Sequence, residues 1–151
     1  MPELPEVETV RRTLKPLVVN KTIKAIDIYY DRIIEDDQKL FCQKVINQTI
    51  RDIDRYGKYL IFKLDDVAFI SHLRMEGKYR YCLSDEEISK HDHVVFKLDD
   101  GHELRYNDTR KFGRMKLVSL QHYLEQAPLN KLGPEPFFID EEILYRQLKK
   151  K

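Results

Sequence analysis

Seven short runs decide the fold: Ile50–Arg55 (IRDIDR), Tyr59–Leu64 (YLIFKL), Ala68–Leu73 (AFISHL), Tyr79–Leu83 (YRYCL), His93–Leu98 (HVVFKL), Glu103–Asn107 (ELRYN) and Arg114–Leu120 (RMKLVSL). Each is rich in β-branched and aromatic residues, and turn residues separate them, which is the pattern of strands. Asp99-Asp100-Gly101 between the fifth and sixth runs is a hairpin signal. Working outward, Thr22–Tyr30 adds a further strand pattern, and Asp37–Ile46 suits a short helix. At the front, Val7, Val10, Leu14 and Leu17 recur at helical steps over residues 5–15, and Pro16 is expected to kink or end that helix. After the last run, Gln121–Leu132 is polar, and Asp140–Lys151 reads as a helix with Asp140 as its N-cap. The order of one helix, about eight strands and then helices predicts an α+β fold, mainly β, with helices flanking a β-sandwich.

A chain of 151 residues suits one domain with its own core, and 35% charged with 42% hydrophobic residues is ordinary for a globular protein. No run approaches the roughly 20 apolar residues of a membrane helix, and no signal-like pattern opens the sequence. Cys42 and Cys82 lie far apart, so the expectation is two reduced thiols in a cytoplasmic protein without a membrane partner. The net charge of +1 leaves no chain-wide basic footprint. Positive charge gathers locally over residues 105–116, in Arg105, Arg110, Lys111, Arg114 and Lys116 against Asp108. Such a patch can meet phosphates even when the total is near neutral. Acidic clusters at Glu35-Asp36-Asp37, Asp65-Asp66, Asp85-Glu86-Glu87 and Asp99-Asp100 read as solvated turns.

The sequence begins Met1-Pro2-Glu3-Leu4-Pro5-Glu6-Val7-Glu8-Thr9-Val10. Removal of Met1 would make Pro2 a free secondary amine with a carboxyl beside it at Glu3. A generic α-amino group has a pKa of about 7.7–8.0, so part of it is unprotonated near neutrality. A secondary amine that adds to a masked aldehyde forms an iminium with no N–H to lose, which stays cationic and draws electrons. That suits covalent catalysis at a sugar C1′ with the acid as proton donor. The plainer account is helical: Pro in a first turn lacks only an unneeded N–H, and Glu there suits the helix dipole.

Pro2 through Val10, followed by Arg11-Arg12, closely resembles the start of the bacterial formamidopyrimidine-DNA glycosylase family, and Leu4 favours that branch over endonuclease VIII. Further strings carry the likeness along the chain: Arg55-Tyr56-Gly57-Lys58-Tyr59-Leu60, His72-Leu73-Arg74-Met75-Glu76-Gly77, His91-Asp92-His93-Val94, Asp108-Thr109-Arg110-Lys111-Phe112-Gly113 and Leu132-Gly133-Pro134-Glu135-Pro136. The resemblance implies a two-layered β-sandwich over 1–135, with 136–151 starting a helical connection to a helix-two-turn-helix and zinc-finger region outside the chain. The basic close, Arg146 to Lys151, reads as an interrupted chain.

By that resemblance the function is base-excision repair of oxidised purines by a bifunctional DNA glycosylase/AP lyase, working by β,δ-elimination. Pro2 would be the nucleophile, Glu3 the proton donor and Lys58 a loop lysine at the lesion. Met75, Arg110 and Phe112 would fill the void left by a flipped nucleotide. His72 and His91 would lie near DNA, and Glu6 in the lesion pocket. His91 and His93 stand two apart, so on a strand they would share a face; a metal pair lacks a third ligand, and a structural role is the expectation. The implied partner is double-stranded DNA with a damaged purine or abasic site, and the protein is expected to be a monomer. One structural zinc is implied, but outside this chain, since two distant cysteines cannot form a four-cysteine site. Two other readings remain open. One is a lesion-binding module without chemistry, against which Pro2 and Glu3 argue. The other is an N-terminal-proline tautomerase, in which the Arg110/Phe112 block has no role.

Overall fold

The computed structural model of the chain describes residues 4–132, with side chains from residue 6 onward. The first helix, α1, runs Leu4–Val18. Val7, Leu14 and Val18 are buried and Val10 packs against the core. Leu17, expected on this face, is exposed, because alternating steps of four and three from Val7 lead to Val18 instead. The step between them is Arg11, a buried charge whose Nη1 donates to the Ile53 carbonyl at 3.2 Å. Pro16 does not end the helix. It removes the one N–H that would reach the Arg12 carbonyl, but it sits in the last turn. Buried Val18 and a Val19 N–H donating to the Lys15 carbonyl (3.1 Å) carry the chain past it. Asn20, at φ 73°, then makes the left-handed exit common after helices.

Among the described residues, eight antiparallel strands follow in two sheets. The first has the order β1 (Ile23–Ile28), β6 (Asp92–Leu98), β7 (His102–Asn107), β5 (Lys78–Leu83). The second is β2 (Asp52–Tyr56), β3 (Tyr59–Lys63), β4 (Val67–His72), β8 (Arg114–Ser119). The predicted α+β, mainly β sandwich is what forms. Helix α2, Gln38–Val45, begins where Asp37 Oδ2 accepts the Leu40 N–H at 3.1 Å. A short 3-10 turn at Asp31–Ile33 had no sequence signal.

The core joins the layers through stacked rings. Phe62 of β3 stacks on Phe69 of β4 (centroids 4.7 Å apart, 10° between planes), and Phe69 stacks on Phe96 of the other sheet (5.4 Å, 11°). Phe41 of α2 meets Phe69 edge-on at 5.5 Å. All four are fully buried, each contributing roughly 1.5–3 kcal/mol of transfer free energy. A smaller cluster includes Ile61, Ile70 and Val118, covered by Tyr123 and Leu129 from two 3-10 turns in the polar segment.

The acidic clusters are turns, but most are tied down. Asp36 accepts the Leu117 N–H (2.6 Å), Asp65 the Thr49 N–H (2.9 Å) and the Arg51 guanidinium (2.6 Å), and Asp100 the Tyr81 hydroxyl. The expected Asp140–Lys151 helix, its Asp140 cap and the 136–151 connection lie outside the described residues. Among the described residues no helix is long and apolar enough to cross a membrane.

Candidate functional site

Two loops at one end of the sandwich carry three of the nine predicted site residues, Met75, Arg110 and Phe112. One, residues 73–77, links β4 to β5; the other, residues 108–113, links β7 to β8. Arg74 and Met75 from the first, Phe112 from the second and Arg114 just after it line one cavity of about 500 Å³. Met75 is 49% exposed and Phe112 50%, and the two face one cavity together as an exposed apolar pair. Each follows a cation held in the left-handed region, Arg74 at φ 56° and Lys111 at φ 62°. Non-glycine residues there are strained and tend to mark functional loops. Arg110, also exposed, lies on the second loop.

The second loop is built on Asp108, which is fully buried. Its Oδ1 accepts the N–H groups of Arg110 (3.1 Å) and Lys111 (3.0 Å), and its Oδ2 those of Gly113 (2.9 Å) and the Tyr106 hydroxyl (2.9 Å). From the far side His93 Nε2 bonds the Asp108 carbonyl at 2.6 Å, and Lys111 lies over the Tyr30 ring at 4.8 Å. Sequence reasoning quoted Asp108 without a role. The available signal was an Asp followed two and three residues later by backbone donors, the Asx-turn pattern.

A second cavity of about 260 Å³ adjoins the start of α1 and is lined by Glu6, Val10, Leu73, Met75, Glu76, Gly77 and Lys78. Glu6 and Met75 are thus brought together. Pro2 and Glu3 lie outside the described residues. Lys58 sits in a two-residue hairpin with Gly57, between the paired Tyr56 and Tyr59, and Gly57 takes φ 61°. Arg55 ties this hairpin to α1: its Nη1 donates to the Gly57 carbonyl (3.0 Å) and its Nε to Glu8 (3.2 Å). Glu8 also accepts Arg11 (2.8 and 2.9 Å) and Arg12 (2.7 Å). Burial alone would raise the Glu8 carboxyl, but these guanidinium bonds override it and hold the pKa at about 2. Glu8 and Arg55 were missed because a helix acid and a strand arginine give no hint of meeting.

His72 ends β4, where its Nδ1 accepts the Arg74 N–H at 3.0 Å. Burial, with Arg74 and Lys58 nearby, pushes its pKa down to about 4, so near neutrality it is an uncharged ring with Nε2 carrying the proton. A third cavity, about 240 Å³, places it with Tyr59, Arg74, Arg114 and Lys116. His91 is not on the strand as expected: β6 begins at Asp92, and the ladder with β7 is irregular just after it. Its carbonyl accepts the Asp108 N–H (3.0 Å), so it braces the second loop through the main chain. Arg105 does not belong to the surface patch. It is fully buried and bonds Glu103 (2.9 Å) and the carbonyls of Glu86 and Glu87. A four-cysteine zinc site does not fit this chain, which has two cysteines, and among the described residues no His/Cys/Asp/Glu group could hold a metal.

This arrangement has relatives. Residues 1–115 match the family model of the formamidopyrimidine-DNA glycosylase N-terminal domain. Formamidopyrimidine-DNA glycosylase of Ligilactobacillus salivarius is 56% identical over 137 residues, covering 90% of this chain and 50% of that protein. That of Bacillus licheniformis is 53% identical over 139 residues, covering 91% and 50%. The Lactococcus lactis enzyme, solved in complex with DNA containing an oxidised pyrimidine, superposes with a TM-score of 0.85 at 43% identity, covering 99% of this chain and 57% of that one. The same enzyme with abasic-site DNA gives 0.85 at 42%. The chain spans about half the length of the curated relatives it matches. With that match running through the helix, both sheets and the two loops, the chain belongs to the formamidopyrimidine-DNA glycosylase family.

Proposed function

We propose that this chain is the catalytic, lesion-reading half of a bacterial, cytoplasmic base-excision repair enzyme, a bifunctional glycosylase/AP lyase for oxidised purines. The observation that carries it is the shared cavity of Met75 and Phe112, two half-exposed apolar side chains flanked by Arg74 and Arg114; Met75 also lines the separate cavity at the start of α1. Apolar wedges amid cations suit a kinked duplex from which one nucleotide has been turned out. Arg110, on the same loop as Phe112, has the forked donors to satisfy an orphaned cytosine. Lys58 and the neutral His72 would face the backbone phosphates, and Glu6 the lesion.

In this reading the Pro2 nitrogen, freed by loss of Met1, attacks C1′ and the damaged base departs with its bonding electrons. Glu3 protonates the deoxyribose ring oxygen as the ring opens, leaving a cationic iminium at C1′. The iminium acidifies C2′. Loss of that proton expels the 3′ phosphate, and a second elimination expels the 5′ phosphate, leaving a one-nucleotide gap. What this chain's own residues add is placement: Glu8 and Arg55 hold the Lys58 hairpin against α1. The family's structural zinc and the second wall of the DNA cleft would come from sequence beyond this chain.

Borohydride trapping tests the chemistry. A full-length, Met1-processed protein carrying this domain should be captured covalently on abasic-site DNA, and Pro2→Gly should weaken capture severely. An active protein that gives no adduct refutes the iminium role, and lesion binding without strand nicking leaves only a binding module. The 151-residue chain alone should bind DNA orders of magnitude more weakly, because affinity scales with phosphates neutralised; filter binding at ~50 mM salt checks this. Nanomolar specific binding by the short chain would overturn that expectation.

A further inference from the structure

We propose that Tyr106 is a positioning residue that couples the 73–77 and 108–113 loops, so that Met75 and Phe112 are presented as one preset surface. The placement of its hydroxyl carries the inference. Tyr106 is fully buried on β7 and belongs to neither loop. A Cβ built on Gly113 would overlap its hydroxyl, and so would one built on Gly77, which would also strike the Leu73 carbonyl. One oxygen therefore lies against both loop backbones at their C-terminal ends, and only glycine leaves room for it on either side. The same hydroxyl donates to Asp108 at 2.9 Å, and Asp108 holds the Arg110, Lys111 and Gly113 amides. Burial first, then Tyr79 and Asp108, raises the hydroxyl far above the ordinary tyrosine range, so it remains a donor at any working pH.

The consequence is mechanical. Movement of the first loop toward β7 must displace the hydroxyl, and that displacement pulls on the carboxylate which shapes the second loop. A phenylalanine here would keep the ring against Tyr79, 5.2 Å away, but would leave a gap between the glycines and remove one donor from Asp108. The role in lesion recognition rests on the proposed DNA-reading function; the coupling of the loops does not.

Amide hydrogen exchange on this chain without DNA tests the coupling. Tyr106→Phe should speed exchange at Gly77, Lys111 and Gly113 at least tenfold relative to Phe62 in β3. Gly77→Ala, which alters only the first loop, should do the same at Lys111 and Gly113. If Tyr106→Phe leaves Gly77 unchanged, or Gly77→Ala leaves the second loop unchanged, the loops are independent and the proposal falls. Should Gly77→Ala fail to fold, the Tyr106→Phe result decides alone. Binding is then compared, in a full-length protein carrying this domain, on a duplex carrying a tetrahydrofuran abasic analogue and on an intact duplex. Tyr106→Phe should reduce the preference for the lesion at least tenfold with intact-duplex affinity unchanged. A preference that survives the substitution overturns the positioning role. Coupled exchange together with no lesion preference at all in the full-length protein would uphold the coupling and sink the DNA reading instead.

Discussion

Replacing Asp108 with Asn should unfold the second loop's framework while keeping the side chain's shape. The carboxylate offers two acceptor oxygens to four donors: Arg110 and Lys111 on Oδ1, Gly113 and Tyr106 on Oδ2. An asparagine keeps one oxygen. Whichever way its amide is turned, two donors then face an NH2 group. A hydrogen bond to a charged group contributes about 1.5–3 kcal/mol, so losing two costs about 3–6 kcal/mol before relaxation. The loop is at the surface and can rearrange, which favours the lower end, about 3 kcal/mol. With a urea m-value of about 2 kcal/mol/M, the midpoint should fall by about 1.5 M. Phe112 should also lose its fixed seat, so lesion-DNA affinity should drop beyond what the lost folded fraction explains. A midpoint shift below about 0.3 M, at an unchanged m-value, would refute the idea that this carboxylate holds the loop.

Other expectations follow from the same geometry. Because Glu8 is held at about 2 against an ordinary 4.5, its contribution is present above pH 4.5 and lost as pH falls toward 2. Glu8→Gln should remove that part of the acid sensitivity, worth about 1–2 kcal/mol after solvent screening, seen as a shallower stability–pH curve in that window. His72, with its pKa lowered from 6.5 to about 4, should destabilise the fold as pH drops through that interval, since the unfolded chain takes up the proton first. Ring-nitrogen NMR should show a single Nε2–H tautomer down to about pH 5, and titration at the ordinary 6.5 would contradict the placement. Arg74→Gly should relieve a left-handed backbone strain of about 1 kcal/mol and raise stability on thermal unfolding, yet weaken DNA binding through the lost cation. Phe69→Ala should cost about 3–5 kcal/mol by opening the ring stack between the sheets, read as a lower urea midpoint.

The sandwich was legible because its strands announce themselves locally. IRDIDR, YLIFKL and HVVFKL each carry strand chemistry within a few residues, and Asp99-Asp100-Gly101 and Gly57-Lys58 mark tight reversals. The neighbour order β1-β6-β7-β5 was not legible, since it is settled by which hydrophobic faces meet across the whole chain. Pro16 misled for a related reason: its local cost is one hydrogen bond, and burial of Val18 outweighs it.

At the site, Phe112 and the Asx-turn at Asp108 had local signals, and most of the other supports did not. Phe112 stands out because an apolar ring between Lys111 and Gly113 has no core to join, whereas Met75 and Arg110 were named through the family resemblance. The carboxylate that shapes the loop of Arg110 and Phe112 bonds partners two to five residues away, whereas other ties in the fold span long separations: Glu8 with Arg55, 47 residues apart, and Tyr123 with Asp54, 69 apart. A buried carboxylate survives only when donors surround it, and sequence spacing cannot say where those donors come from. Tyr106 shows the point most sharply. In ELRYN it is simply the aromatic position of a strand, and its significance arises only because two glycines from different loops close on its hydroxyl. The residues proposed to touch DNA were named from motif strings along the chain, whereas the contacts that aim them depend on the fold. In this chain the first set could be named before the fold was known, and the second only after.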